Sequence, residues 1–254
     1  MKILISPAKS IHFQDVSYSY DVTVPEFEKE LTLLLNKLKK LNAKKLEEMM
    51  HISKELGALN AQRYADFIFP SESSELNHPA VLSFSGEVYK GFDAPSLTAP
   101  AAIKTQEQLL ILSGLYGFLK PFDLFTPYRL EMGTSWEISS KHKNLYSYWQ
   151  TTLTNYLKKS LAKNEVLVNL ASVEYSKAIN FKAIENPTVI PQFKEFKNGK
   201  FSIVMMYAKH ARGKMARHLI EHPIISKEEL KSYNLDKYEF NDVLSSENEY
   251  VFVR

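Results

Sequence analysis

The stretch from Tyr207 to Glu221 holds the residues best suited to handling an anion. Plotted at about 100° per residue, Lys214, Arg217, His210 and Glu221 gather on one side, which reads as a solvated face. Lys209 and Arg212 fall on the other side with Ala208, Met215, Ala216, Leu219 and Ile220, the apolar face that should pack inward. A charge on a core-facing side is costly unless it meets an opposite charge or lines a cavity. Both cations also lie in the first turns of a helix, where backbone N–H groups and the helix dipole favour anions. Either they bind an anionic ligand, or they neutralise an internal carboxylate such as Glu131 or Glu174.

Three further groups have residue types that could contact a phosphate or a base. In Pro127–Gly133, Arg129 could grip phosphate bidentately and Tyr128 could stack on a base. In Asn169–Lys177, Glu174 and Lys177 are three apart and share a helix face, so they either pair or serve a ligand. Residues 46–68 resemble a helix-hairpin-helix: one helix ends near Leu56, Gly57 to Asn60 form the turn, and a second helix runs from Ala61 to about Phe67. Such a turn aims backbone N–H groups at a phosphate, with Lys54 and Arg63 nearby for charge. Only one glycine of the usual glycine-hydrophobic-glycine core is present, and a plain helical hairpin is the alternative. Lys37, Lys39, Lys40, Lys44 and Lys45 read as a solvated face.

Other chemistries are excluded or unsupported. With no cysteine, the chain has no disulfide, zinc-thiolate or iron–sulfur chemistry and no thiol peroxidase activity. The seven histidines show no HExxH spacing, and His218 with His222 lacks an evident third ligand. There is no P-loop, GxGxxG or GxSxG, so no cofactor or metal is expected. A net charge of +3 is only mildly basic, so nucleic-acid binding has to rest on local clustering. The longest apolar run, near residues 109–119, is broken by Ser113, Gly114 and Gly117 and is too short for a bilayer. A cytoplasmic, membrane-free, monomeric protein is expected.

Several short apolar runs end abruptly in small or polar residues and would position these groups. They are Ile3–Ile5 before Ser6-Pro7-Ala8-Lys9, Val81–Phe84 before Ser85-Gly86-Glu87, and Leu110–Leu112 before Ser113-Gly114. Val166–Val168 precedes Asn169–Ser172, and Ile203–Met206 precedes Lys209. Continuous apolar runs suit a sheet covered on both faces. In open α/β sheets, ligands sit beyond the strand carboxyl ends, where strand order reverses. Thr23-Val24-Pro25-Glu26 reads as a capping box opening a helix that carries Phe27, Leu31, Leu34, Leu35, Leu38 and Leu41. Residues 71–77 read as a polar loop. Tyr250–Val253 alternates like a strand in a hairpin with 238–243. The expected architecture is a single α/β domain over residues 1–254. It has a mixed, largely buried central sheet flanked by helices and a polar, basic cleft at the strand carboxyl ends.

The blocks Ile5–Lys9, Leu112–Gly117, Pro127–Gly133, Asn169–Lys177 and Tyr207–Gly213 resemble the signature blocks of the YaaA family, and they occur in that family's order. The resemblance runs from Met1 to the C-terminal strand. It implies resistance to hydrogen peroxide through limiting free intracellular iron. It also implies sequence-independent binding of double-stranded DNA through a basic cleft and a helix-hairpin-helix. Lys9, Arg129, Lys177, Lys209 and Arg212 would line the cleft, and Gly57, Asn60 and Arg63 would hold the hairpin contact. The rival reading is an enzyme acting on a nucleobase or nucleotide. There Glu131 or Glu174 would be the acid or base, and Lys209 with Arg212 would stabilise developing negative charge.

Overall fold

Lys2-Ile3-Leu4-Ile5 has no polar residue beyond its first, and a strand of that kind needs cover on both faces. In the computed structural model, which describes residues 1–13, 21–69 and 77–254, it is an interior strand of the main sheet. The strands are β1 (Lys2–Ile5), β2 (Leu109–Ser113), β3 (Gly117–Leu119), β4 (Leu167–Asn169), β5 (Thr188–Lys197), β6 (Lys200–Ser202), β7 (Glu239–Phe240) and β8 (Glu249–Val253). Their order is β7-β8-β5-β4-β1-β2-β3, with β6 paired to β5. The pairs β1–β2, β1–β4, β4–β5 and β5–β8 are parallel; β2–β3, β5–β6 and β7–β8 are antiparallel. Chain order therefore reverses at β1, which has β2 on one side and β4 on the other.

The helices are α1 (Glu28–Leu38), α2 (Ala43–Met50), α3 (Lys54–Ala65), α4 (Ala80–Ser83), α5 (Glu87–Phe92), α6 (Ala99–Gln108), α7 (Leu145–Ser160), α8 (Val173–Ser176) and α9 (Met205–Glu221). Leu31, Leu34, Leu35 and Leu38 bury one face of α1, and their spacing is helical. Among the described residues, no helix is long and apolar enough to cross a membrane. Helices α5 and α9 cross at backbone contact. A Cβ on Gly213 would lie 1.9 Å from the Val88 carbonyl oxygen, and one on Gly91 would lie 2.2 Å from that of His210.

Several expectations are corrected. Thr23 does not cap a helix: α1 begins five residues later, at Glu28. The Thr23 hydroxyl instead donates to Asp123 at 2.5 Å and accepts from Gln106 at 2.8 Å. Residues 80–83 are helical rather than extended, and Phe84–Ser85 makes only a short bridge to Ser10–Ile11. The run 203–206 is not a strand; β6 ends at Ser202 and α9 starts at Met205. The expected polar loop at 71–77 lies outside the described residues except for Asn77.

The turn expected at residues 57–60 does not form there. Gly57 and Asn60 lie inside one continuous helix, α3, and the turn falls at residues 51–53, with left-handed His51 (φ 52°) closing α2 and Ser53 capping α3. Gly57 is small because α2 packs against it: a Cβ there would lie 2.4 Å from the Glu47 side chain and 2.9 Å from the Ala43 carbonyl oxygen. Asn60 is buried and donates to the Leu56 carbonyl at 2.8 Å. Neither presents a turn to a phosphate.

The buried Asp123 carboxyl also accepts the Lys120 N–H at 2.7 Å, and burial pushes its pKa up to about 6. An unfolded carboxyl titrates near 4, so the folded state binds the proton more tightly. The stability this group contributes is complete below about pH 4 and is lost as pH rises through about 6. Asp123→Asn should therefore gain melting temperature relative to the parent as pH is raised from about 4 to about 7, by an equivalent of about 2–3 kcal/mol. Parallel melting curves for the two proteins across that range would refute the assignment.

Candidate functional site

The carboxyl ends of β1 and β4 open side by side where strand order reverses. Ser6, just past β1, accepts the Ser172 N–H at 2.8 Å and donates to the Ser172 hydroxyl at 3.2 Å. Around this join lies a cleft of about 580 Å³. Its walls are residues 6–10, residues 85–89 at the start of α5, the loop 128–131, residues 170 and 172–175, Gln192 of β5, Ile203 and Met205, and Lys209 with Arg212 of α9. Four of the five apolar runs thus lead into the cleft. The fifth does not, because Ser113 is buried under the loop, its hydroxyl 2.5 Å from that of Tyr128.

The charges in the cleft divide into two groups. Glu131 is held between Lys9 (2.8 Å) and Arg129 (3.1 Å). Glu174 accepts the Gly133 N–H at 3.1 Å, and Glu87 pairs with Lys90 at 2.8 Å. Lys209 and Arg212 are left over; among the described residues neither has an acidic partner. The guanidinium of Arg212 is largely buried, its Nε has no hydrogen-bond partner, and burial lowers its pKa. The buried Nε of Arg129 also lacks one. A desolvated guanidinium without a counter-charge is unfavourable until an anion reaches it. The alternative of an internal pair between Arg212 and Glu131 or Glu174 is not realised.

The other expected site residues are dispersed. Lys54 is exposed at the start of α3, and Arg63 is half-buried near its end. Neither lines the cleft, and with Gly57 and Asn60 they form no phosphate-facing turn. Lys177 is exposed at the end of α8, outside the cleft wall, and Glu174 turns to Gly133 rather than to it. Tyr128 reaches the cleft, but it is 5% exposed, its hydroxyl is engaged by Ser113 and its ring packs edge-on against Tyr116. That leaves no face for a base. Burial raises the pKa of Tyr89, Tyr128 and Tyr175, so their phenols stay protonated.

Arg217 does not stand on a solvated face. Its guanidinium donates to the carbonyls of Phe92 (3.1 Å), Asp93 (2.7 Å) and Ser96 (3.1 Å), and it pairs with Glu221 at 2.6 Å. It clamps α9 to the end of α5. A helical wheel registers which side a residue faces but not a neighbouring helix packed against that side, so α5 was invisible to it. Sequence reasoning also missed Tyr89, Gln192 and Met205 as cleft residues. Gln192 lies in a strand interrupted by Pro191, an unfavourable strand signature.

A family model described as peroxide stress protein YaaA matches residues 1–244. The chain is 44% identical over 254 residues to a UPF0246 protein of Flavobacterium psychrophilum, covering all of both chains. It is 42% identical over 256 residues to one of Neisseria meningitidis serogroup A, covering all of this chain and 98% of the relative. It is 43% identical over 258 residues to one of Polynucleobacter necessarius, again covering 98% of the relative.

Proposed function

We propose, from the premise that this chain belongs to the peroxide stress protein YaaA family, that it serves the oxidative-stress response by holding double-stranded DNA at the cleft mouth. The binding is largely independent of sequence. The observation that supports this most is Arg212, a desolvated guanidinium that, like the neighbouring Lys209 in the opening turns of α9, has no acidic partner among the described residues. A phosphodiester supplies the missing charge, and the backbone N–H groups of the first turn add donors. A role in keeping free intracellular iron low belongs to the same proposal.

A cleft of about 580 Å³ takes one phosphate-bearing segment rather than a whole duplex, so the duplex lies across the opening. Contact with a few phosphates gives a definite salt signature, because each neutralised phosphate contributes about −0.9 to the slope of log affinity against log salt. A slope of about −2 to −4, equal for duplexes of unrelated sequence, is expected from binding isotherms at graded salt. Affinity that ignores salt, or that changes with sequence at fixed salt, would remove the proposal.

One observation favours the second reading, an enzyme acting on a nucleobase or nucleotide. The cleft volume falls among those of small-ligand sites, and Glu131 and Glu174 both stand on its wall. In that reading one carboxylate moves a proton and Arg212 with Lys209 stabilises developing negative charge. A mononucleotide that displaces duplex at low concentration would favour this reading over binding alone.

A further inference from the structure

The antiparallel strands β5 and β6 meet in a two-residue turn, Asn198 (φ 54°) and Gly199 (φ 75°). Positive φ at both positions matches the twist of the flanking strands and makes the hairpin stiff. Next to the turn, Lys197 stands opposite Lys200, and Phe196 stands opposite Phe201. The two phenyl rings are 5.1 Å apart, and they are 59% and 38% exposed. Side chains alternate along β5: Val189, Pro191 and Phe193 are buried, while Gln192, Lys194 and Phe196 take the other face. Gln192 lines the cleft, as does Ile203 two residues beyond Phe201. The aromatic pair therefore stands on the face whose base is the cleft wall.

Its electrostatics point the same way. The only acid on the hairpin, Glu195, is occupied by Arg254 at 2.9 Å and by the Tyr238 hydroxyl. Lys194, Lys197 and Lys200 have no ion-pair partner among the described residues. Like charges directly opposite on a hairpin disfavour it, and a bridging anion relieves that repulsion. Lys194 shares the face of the aromatic pair, while Lys197 and Lys200 stand on the opposite face at the tip; exposed aromatic rings beside an unneutralised ammonium group form a stacking platform for unpaired bases.

We propose that this hairpin is a second nucleic-acid contact, in which an unpaired base stacks on Phe196 and Phe201 while its backbone runs past Lys194 toward Lys209 and Arg212. The preferred ligand is then a duplex bearing unpaired nucleotides at its edge. The inference rests on the cleft reading, but its test separates the two. Binding is measured by fluorescence anisotropy for a blunt duplex and for the same duplex with a single-stranded tail carrying 2-aminopurine.

The double variant Phe196→Ala/Phe201→Ala should lose about tenfold in affinity for the tailed duplex, lose the quenching of 2-aminopurine, and bind the blunt duplex as before. Phe196→Leu/Phe201→Leu, which keeps apolar area but not the rings, should behave alike. Arg212→Ala should weaken both ligands; if it weakens neither, the cleft reading falls while the tailed-against-blunt comparison still judges the hairpin. Equal loss on both ligands, or no loss, overturns the hairpin contact. So does self-association in sedimentation that the double variant abolishes with binding unchanged, since the patch would then join two copies of the chain.

Discussion

Arg212→Ala should weaken duplex binding by about tenfold or more while leaving the melting temperature unchanged or slightly raised, and Arg217→Ala should do the opposite. Arg212 has no acidic partner among the described residues, and its buried Nε makes no hydrogen bond. Its removal breaks no ion pair and relieves an uncompensated desolvated charge. In the proposed complex the same guanidinium would meet a phosphate in partly dry surroundings, where a charge-assisted hydrogen bond contributes about 1.5–3 kcal/mol, or a factor of roughly ten or more. Arg217 is 16% exposed, and its bonds go to carbonyls at the end of α5 and to Glu221. Truncating it leaves those acceptors unsatisfied at a cost of about 1–3 kcal/mol, while the cleft keeps its cations. Melting and duplex binding measured on both variants decide the matter. If both variants change both quantities alike, the division between ligand contact and helix clamp is wrong.

Gly213→Ala should lower stability by about 3 kcal/mol. Helix propensity alone predicts the reverse, since alanine is better than glycine in a helix interior by about 1 kcal/mol. Geometry decides the sign. The new Cβ would lie 1.9 Å from the Val88 carbonyl oxygen and 2.8 Å from the Phe92 nitrogen, both backbone atoms of α5. No rotamer change relieves such a clash, so the two helices have to separate. A chain of this size should then melt about 6–12 °C lower. Helix α5 brings Glu87 and Tyr89 to the cleft and α9 brings Lys209 and Arg212, so duplex affinity should fall as well. A variant melting at or above the parent temperature would show that the crossing yields freely.

How far the sequence could be read depended on the kind of signal. Strands β1, β2 and β4 were legible because a strand covered on both faces must be apolar throughout. The cleft followed from what stands after them, and Arg212 from its place on the apolar side of α9. The run 203–206 was misread because an unpatterned apolar stretch cannot distinguish a strand from an exposed approach to a helix. Gly57 looked like a turn because glycine is a poor helix former in isolation; the close approach of Glu47 and Ala43 that requires it is a tertiary fact. The pairing of Glu131 with Lys9 joins residues more than a hundred positions apart, and no local pattern records it.

The interior place of β1 also bears on how this protein is made. Its two neighbours in the sheet are residues 109–113 and 167–169, so β1 is synthesised more than a hundred residues before the first of its ladders can close. Closing such long loops costs entropy before any contact repays it, which slows folding and leaves an apolar strand open to aggregation. Ser6, Ser172 and Arg212 come to one cleft only when that closure is complete, so a nascent fragment that stops short of Arg212 lacks the candidate site. Any ligand that holds them together stabilises the whole body by mass action.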